Sequence, residues 1–443
     1  MHKTNRLISY RSKDIIIVAL AVAAVAIILV AWLTMHHGAD AEQKAAEQAQ
    51  RDRSAWCDTL SNRQSDIPAL YPMDKEIQRF VDKWGLAGLS LAVVRNDSLL
   101  YAKGYGYADR EHATPMDAGT TMRIASVSKL VTAAAIMRLR DQGKLRLDDR
   151  VFGPGGILAD PRLDTLIRDR RMTEITVDHL LQHAGGFSRR AGDPMFSTPD
   201  VMTAAHLTEA PDADRLIETQ IGKRLATKPG TTRRYSNYGY LVLSKVIERL
   251  SGKSYWDFVT DEVLEPIGAA THFDAAGNYR HERHPGEAAY YGPDTVKIRE
   301  YNNSGRMVDR VYGGNDVHGL MGAGGWTASA PALARFVAAI DGDTGVADVI
   351  TPESVSIMTA RDPEEKVNLA RGWAGIGKNG DWVRTGTLSS THALIVRFAA
   401  GDTWVLLTNQ GNYKGYGFSD QLDRLLDRIR AQYLDTMPRR NLW

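Results

Sequence analysis

The chain has 443 residues, 43% of them hydrophobic and 24% charged, which is the make-up of a globular protein able to bury a large core. Its 55 Lys and Arg against 53 Asp and Glu leave a net charge of +2, excluding both the basic face of a nucleic-acid binder and a polyanionic tail. The single cysteine, Cys57, excludes an internal disulfide, a cysteine zinc site and an iron–sulfur cage.

Residues 15–33 form a run of 19 without a charge or a proline, roughly the length that crosses a hydrocarbon core. Lys3, Arg6, Arg11 and Lys13 precede it, and the next cation is Lys44. This asymmetry predicts a cytoplasmic N-terminus at 1–14, a membrane-anchoring helix at 15–34 and everything after it outside the cytoplasm. A cleavable signal peptide, with Ala39-Asp40-Ala41 as its small-residue site, is the competing reading, and it also exports the protein. Residues 35–70 are expected to be a polar linker, because 38–54 are rich in Ala, Glu and Gln and poor in large apolar residues. The folded domain is expected over 71–435.

Within it, 73–84 reads as an amphipathic helix, and 89–94 and 98–105 as strands joined by the hairpin signal Arg95-Asn96-Asp97. The Ala/Leu-rich stretch 127–142 reads as a helix stopped at Gly143. Helical patterns and loops follow to about residue 370, including 177–183, 238–250 and 331–340. Strands return at 382–384, 392–398 and 403–408, and 418–433 is a last amphipathic helix. Strands at both ends with helices between predict an α/β (α+β) fold, with one antiparallel sheet flanked by helices, a helical lobe and a cleft between them.

Three short motifs bear on chemistry. Ser126-Val127-Ser128-Lys129 opens the Ala-rich helix and places Ser126 and Lys129 one turn apart on one face. A lysine there takes the serine proton if burial or a nearby cation depresses its pKa. Tyr235-Ser236-Asn237 offers a proton shuttle and an amide that both donates and accepts. Arg384-Thr385-Gly386 puts a cation and a hydroxyl beside a glycine, a grouping able to grip a substrate carboxylate while the backbone approaches closely.

In this order and context the motifs resemble the serine β-lactamase and penicillin-binding protein superfamily. The closest type is the class C β-lactamases, D,D-carboxypeptidases, D-aminopeptidases and related esterases. The segments 121–129, 141–149, 175–183, 229–240 and 324–326 extend the similarity over about residues 75–430. The resemblance implies a β-lactamase/transpeptidase-like fold and an acyl-enzyme on Ser126, activated by Lys129. It makes Tyr235 the proton shuttle and Asn237 a contact for a substrate amide. Arg384, Thr385, Gly386 and Thr387 would line the substrate, with an oxyanion hole made by the backbone N–H groups of Ser126 and Thr387. It implies no cofactor and no metal. The substrates would be D-amino-acid peptides of the cell wall, β-lactams or small esters, handled by an enzyme held to the membrane by one N-terminal anchor. The choice of Lys129 or Tyr235 as base stays open.

The family usually carries Lys or His where Arg384 stands. A guanidinium stays charged at any working pH and cannot relay a proton, although it can hold a carboxylate bidentately. That departure motivates a second reading, a catalytically silent protein that binds cell wall or a partner. Other candidates have blander readings. His179 and His183 lack the glutamate of a His-Glu-x-x-His metal site, and His281 and His284 sit in a polar loop. His318 and His392 are expected near the rim of the cleft, and Trp326, Trp373 and Trp382 either line the cleft or fill the core.

Overall fold

A computed structural model describes residues 59–443, apart from Ala191, Asp294 and residues 362–368. The apolar run 15–33 and Cys57 lie outside the described residues. Among those described, no helix is long and apolar enough to cross a membrane.

The hairpin of β1 (Gly88–Arg95) and β2 (Ser98–Asp109) turns on Asn96 and Asp97, at φ 48° and 57°. A two-residue loop between right-twisted strands needs this left-handed pair, and Asn and Asp tolerate it best. β3 (Thr114–Pro115) then adds to β2, and the short β4 (Met122–Arg123) leads into the segment that carries Ser126. The middle of the chain contributes β5 (Phe273–Ala275), the hairpin β6 (Lys297–Arg299) and β7 (Met307–Asp309), and β8 (Trp326–Ala328). β9 (Gly375–Ile376), β10 (Trp382–Leu388), β11 (Thr391–Arg397) and β12 (Asp402–Thr408) complete the set. The main sheet runs β3-β2-β1-β12-β11-β10-β9, every pairing antiparallel, so the N- and C-terminal strands close on one another through β1 and β12.

Period-two alternation sorts the sheet's side chains into two cores. Leu89, Leu91 and Val93 of β1, with Leu394, Val396 and Leu406, face the helices Tyr71–Trp84 and Ser419–Tyr433. Ala92, Val94, Ala393, Ile395 and Val405 face the helical lobe. The helix Ser128–Asp141 runs through that lobe and is buried along Lys129–Met137. Its middle, Leu130–Met137, is apolar apart from Thr132, as a stretch without a solvent face requires, and the buried polar groups Ser128, Lys129 and Thr132 are hydrogen-bonded.

This is the expected sheet-plus-lobe architecture, with three differences. The strand expected at 382–384 runs on to Leu388, because Thr385-Gly386-Thr387 pairs with Leu394-Ala393-His392 rather than breaking at the glycine. The lobe contains a three-stranded sheet, β4-β8-β5, whose strands of two or three residues are too short to show a period. The folded unit also reaches back into the stretch 35–70 expected as linker. There Asn62–Ser65 forms a turn, Leu60, Ser65 and Leu70 are buried, and the Asn62 amide bonds to the backbone of Gly104 and Met116.

Candidate active site

Ser126 sits in a short 3-10 turn, Ala125–Val127, directly ahead of the helix Ser128–Asp141. Ala125 before it is held at φ 50°, a conformation that costs an alanine energy and persists only where the surroundings impose it. Tyr235 donates its hydroxyl to Ser126 Oγ at 2.6 Å, and Lys129 Nζ reaches the same oxygen at 3.3 Å. Lys129 is fully buried; its ammonium also donates to Asn237 Oδ1 at 2.7 Å and to the Ala323 carbonyl. Three N–H donors thus meet three oxygens, none of them a carboxylate.

Two glycines let the surrounding backbone come this close. A Cβ on Gly322 would stand 2.4 Å from Thr132 Oγ1 and 2.5 Å from Ser244 Oγ, blocking the segment that delivers the Ala323 carbonyl to Lys129. A Cβ on Gly386 would stand 2.3 Å from the Ile124 carbonyl, so only glycine allows β10 to lie against the Ser126 turn.

The charges set the acidity of this cluster. Burial lowers the Lys129 pKa to about 8, against the pull of Tyr235, and the Arg384 cation adds to the lowering. Burial acts on Tyr235 in the opposite sense, but the Lys129 and Arg384 cations outweigh it and bring the phenol down to about 8. His183 lies under the Tyr235 ring, centroids 4.5 Å apart. Burial, together with Lys129 and Arg384, holds its imidazole well below the usual value, and so neutral. Its Nδ1 accepts the Ser236 N–H, and His179 Nδ1 accepts the Thr176 N–H, so neither histidine is posed as a metal ligand.

The structure brings Ser126, Lys129, Tyr235, Asn237, Arg384 and Gly386 together, and it changes the expectation for two of them. Arg384 does not face outward to grip a carboxylate. It is 1% exposed, its Nε donates to the Ser126 carbonyl at 2.8 Å, its Nη2 donates to the same oxygen, and Nη2 stands 3.4 Å from Tyr235 Oη. On β10 the register places Arg384 opposite Ile395, on the lobe face, which turns the guanidinium under Ser126. Asn237 does not present a free amide. Its Oδ1 is taken by Lys129, and its Nδ2 donates to Asp193 at 2.7 Å. Thr385 and Thr387 alternate to the opposite face of β10, half-buried, and Thr387 Oγ1 lies 3.3 Å from His392 Nδ1. His392 itself is fully buried within β11, accepts the Asn412 N–H, and is lowered by burial to about 4, so it is not a rim residue. His318 is exposed and stacks on Trp256, while Trp326 and Trp373 are core.

Asp193 and the Ala323 carbonyl are the members that sequence reasoning missed. Asp193 lies in a turn with no motif around it, and a backbone carbonyl leaves no trace in a sequence.

The Beta-lactamase family model matches residues 73–427. PbpX of Bacillus subtilis (strain 168), named as a penicillin-binding protein, is 25% identical over 302 residues, covering 67% of this chain and 68% of that protein. An Escherichia coli (strain K12) protein named as a D-alanyl-D-alanine carboxypeptidase is 27% identical over 213 residues, 46% of each chain, so the match spans less than half of its length. Among solved structures, the D-amino acid amidase of Ochrobactrum anthropi SV3 superposes with a TM-score of 0.61 at 20% identity, over 81% of this chain and 99% of that one, a likeness of fold.

Proposed function

This chain belongs to the beta-lactamase family of serine hydrolases, and from that premise we propose that it hydrolyses amide or ester bonds through an acyl-enzyme on Ser126. The observation that supports this most directly is the Tyr235–Ser126 hydrogen bond of 2.6 Å, set between two buried cations. With Lys129 charged and its three protons already placed, Tyr235 is the group free to take the serine proton. As Ser126 Oγ attacks the carbonyl carbon, its proton passes to the Tyr235 phenolate. The developing oxyanion is received by the Ser126 N–H and the N–H of Thr387, after the glycine that lies against the Ser126 turn. Collapse expels the leaving group, which recovers the proton from Tyr235. Water then attacks the acyl-enzyme by the same route in reverse. Arg384 holds the Ser126 carbonyl and keeps the phenol acidic.

The substrates in this reading are D-amino-acid peptides, β-lactams or small esters, with no cofactor needed for any step. The apolar run 15–33 anchors the enzyme at the membrane with the catalytic domain outside the cytoplasm. The reading is tested by intact-protein mass spectrometry of a fragment starting near residue 45 after incubation with a penicillin, beside Ser126→Ala. The expected result is an adduct, or turnover of penicillin or of a p-nitrophenyl ester, in the parent protein alone. Turnover that survives Ser126→Ala sinks the proposal, as does a parent protein inert to every acyl donor, which would leave a silent binder.

A further inference from the structure

Beside the site a narrow cavity opens, sharing Tyr235 and Ser236 as part of its wall, with a volume of about 40 Å³, room for a small polar group. Its lining has a lopsided charge. Arg189, Lys223, Arg224 and Arg234 surround it, and the sole acid among its lining residues, Asp193, is already engaged by Asn237 Nδ2 and by the Met195 N–H. None of the four cations makes an ion pair among the described residues. All four are exposed to solvent, and crowding by neighbouring atoms lowers the Lys223 pKa with no counter-charge acting against it.

An independent observation concerns Tyr238. This side chain is 3% exposed, forms part of the cavity lining and packs edge-on against Phe187, ring centroids 4.8 Å apart. Its hydroxyl is buried and has no hydrogen-bond partner. Buried hydroxyls are rarely left unpaired, because a buried donor without a partner has lost its bonds to water and gained none. An acceptor entering the cavity would meet the cations together, and one that also reached this hydroxyl would satisfy it.

We propose that this cavity receives a carboxylate carried on one arm of the substrate, so that the enzyme prefers anionic acyl donors. The inference rests on the reading of Ser126 as the nucleophile. It assigns to the Arg189–Lys223–Arg224–Arg234 rim the anion recognition that the sequence had suggested for Arg384, which the structure turns inward. Fully paired, charge-assisted hydrogen bonds are the strong ones, and the rim offers several donors to one carboxylate.

The test uses two pairs of esters, each with one neutral and one anionic member. p-Nitrophenyl butyrate against the p-nitrophenyl half-ester of glutarate places the carboxylate on the acyl arm. Phenyl acetate against 4-carboxyphenyl acetate places it on the leaving group. In at least one pair the anionic member is expected to have a kcat/KM about tenfold higher at low salt, declining as salt is raised from about 0.02 M to about 0.5 M. In the double variant Lys223→Glu/Arg224→Glu that ratio falls to one or below. Tyr238→Phe, which keeps every charge, lowers it about threefold. Thermal melts establish that the variants remain folded. No preference in either pair, or a preference that survives the double variant, overturns the inference. Failure to turn over any of the four esters, together with no penicillin adduct or turnover, overturns instead the reading of Ser126 on which it rests; a penicillin adduct or turnover with all four esters inert overturns the inference alone.

Discussion

Two regions of this molecule gather like charges out of water, and they differ in what stands beside those charges. Under Ser126, Lys129 and Arg384 touch only neutral oxygens, those of Ser126, Asn237, Ala323 and Tyr235. At the far end of the β1–β2 hairpin, Asp97, Asp341 and Asp343 bring carboxylate oxygens within 4.8 Å of one another, with Asp348 nearby and Arg397 as their cation. In both places burial disfavours the charged form of a key group, Lys129 in one and Asp341 in the other. The cationic cluster responds by making Tyr235 and Lys129 unusually willing to lose a proton, each near pH 8. The acidic cluster responds by holding protons, with Asp341 raised to about 7 and Asp348 to about 6, burial being the first cause of each. The first lies against a serine hydroxyl, Ser126 Oγ, 2.6 Å from Tyr235 Oη and 3.3 Å from Lys129 Nζ. The same physics therefore yields a reactive group at one site and a pH-dependent strain at the other.

The comparison breaks most readily at Arg384. Lys129 and Tyr235 touch and titrate together, so the first proton lost belongs to the pair, and kcat/KM is expected to rise with pH through about 8. Arg384→Gln removes a cation that lowers both groups, so the rise moves to higher pH. The variant also loses the clamp on the Ser126 carbonyl, and together these should cost roughly 10²–10³ in kcat/KM at pH 7. Arg384→Lys keeps the charge and should restore most of the midpoint. A pH profile of Arg384→Gln that overlays the parent would show that the cation does not set the acidity of the pair.

Asp193 tests the opposite sign at lower cost. Its carboxylate raises Lys129 and fixes the Asn237 amide with Oδ1 toward the ammonium. Asp193→Asn leaves an acceptor for the amide but removes the charge. The midpoint of the kcat/KM profile is expected to move to lower pH, the reverse of Arg384→Gln, with a rate loss of about tenfold or less. A shift in the same direction as Arg384→Gln would mean that the profile reports something other than the Lys129–Tyr235 pair.

How much of this was legible before the structure depends on the range of each interaction. Ser126 and Lys129 are one helical turn apart, and Tyr235 and Asn237 share one tripeptide, so their grouping is written locally. The long strands β1, β2, β11 and β12 were legible because their apolar runs are long enough to show a pattern. The direction of Arg384 was not, because a strand's two faces are distinguished only by what packs on them; the close backbone approach at Gly386 was legible, but not that it is made to the Ser126 turn. The tie between Asp193 and Asn237 spans 44 residues and was invisible for the same reason, as was the cationic cavity assembled from residues 189, 223, 224 and 234. The turn at 62–65 was hidden by composition, since Asn62 and Ser65 are polar and are used to bond to β2.

The acidic cluster gives the smallest effect and the cleanest sign. Asp341 is nearly buried at its side chain, accepts the Asp343 N–H at 3.0 Å, and holds its proton up to about pH 7. In the unfolded chain the same carboxyl releases its proton near pH 4. The folded state therefore binds the extra proton between those values, and stability falls as pH rises through that window, the loss being complete above about 7. Asp341→Asn keeps an acceptor for the Asp343 N–H but has no proton to lose. Parent and variant should melt together at pH 4, and the variant should melt about 2–4 °C higher at pH 8, the shift that ~1 kcal/mol produces in a large domain. The gain is smaller than the full shift in acidity would give, because the variant also forfeits the ion pair with Arg397. A variant less stable than the parent at pH 8 would mean that Arg397 more than compensates the buried charge. The acidic corner would then be a satisfied ion pair, and only the region under Ser126 would hold its charge unpaired.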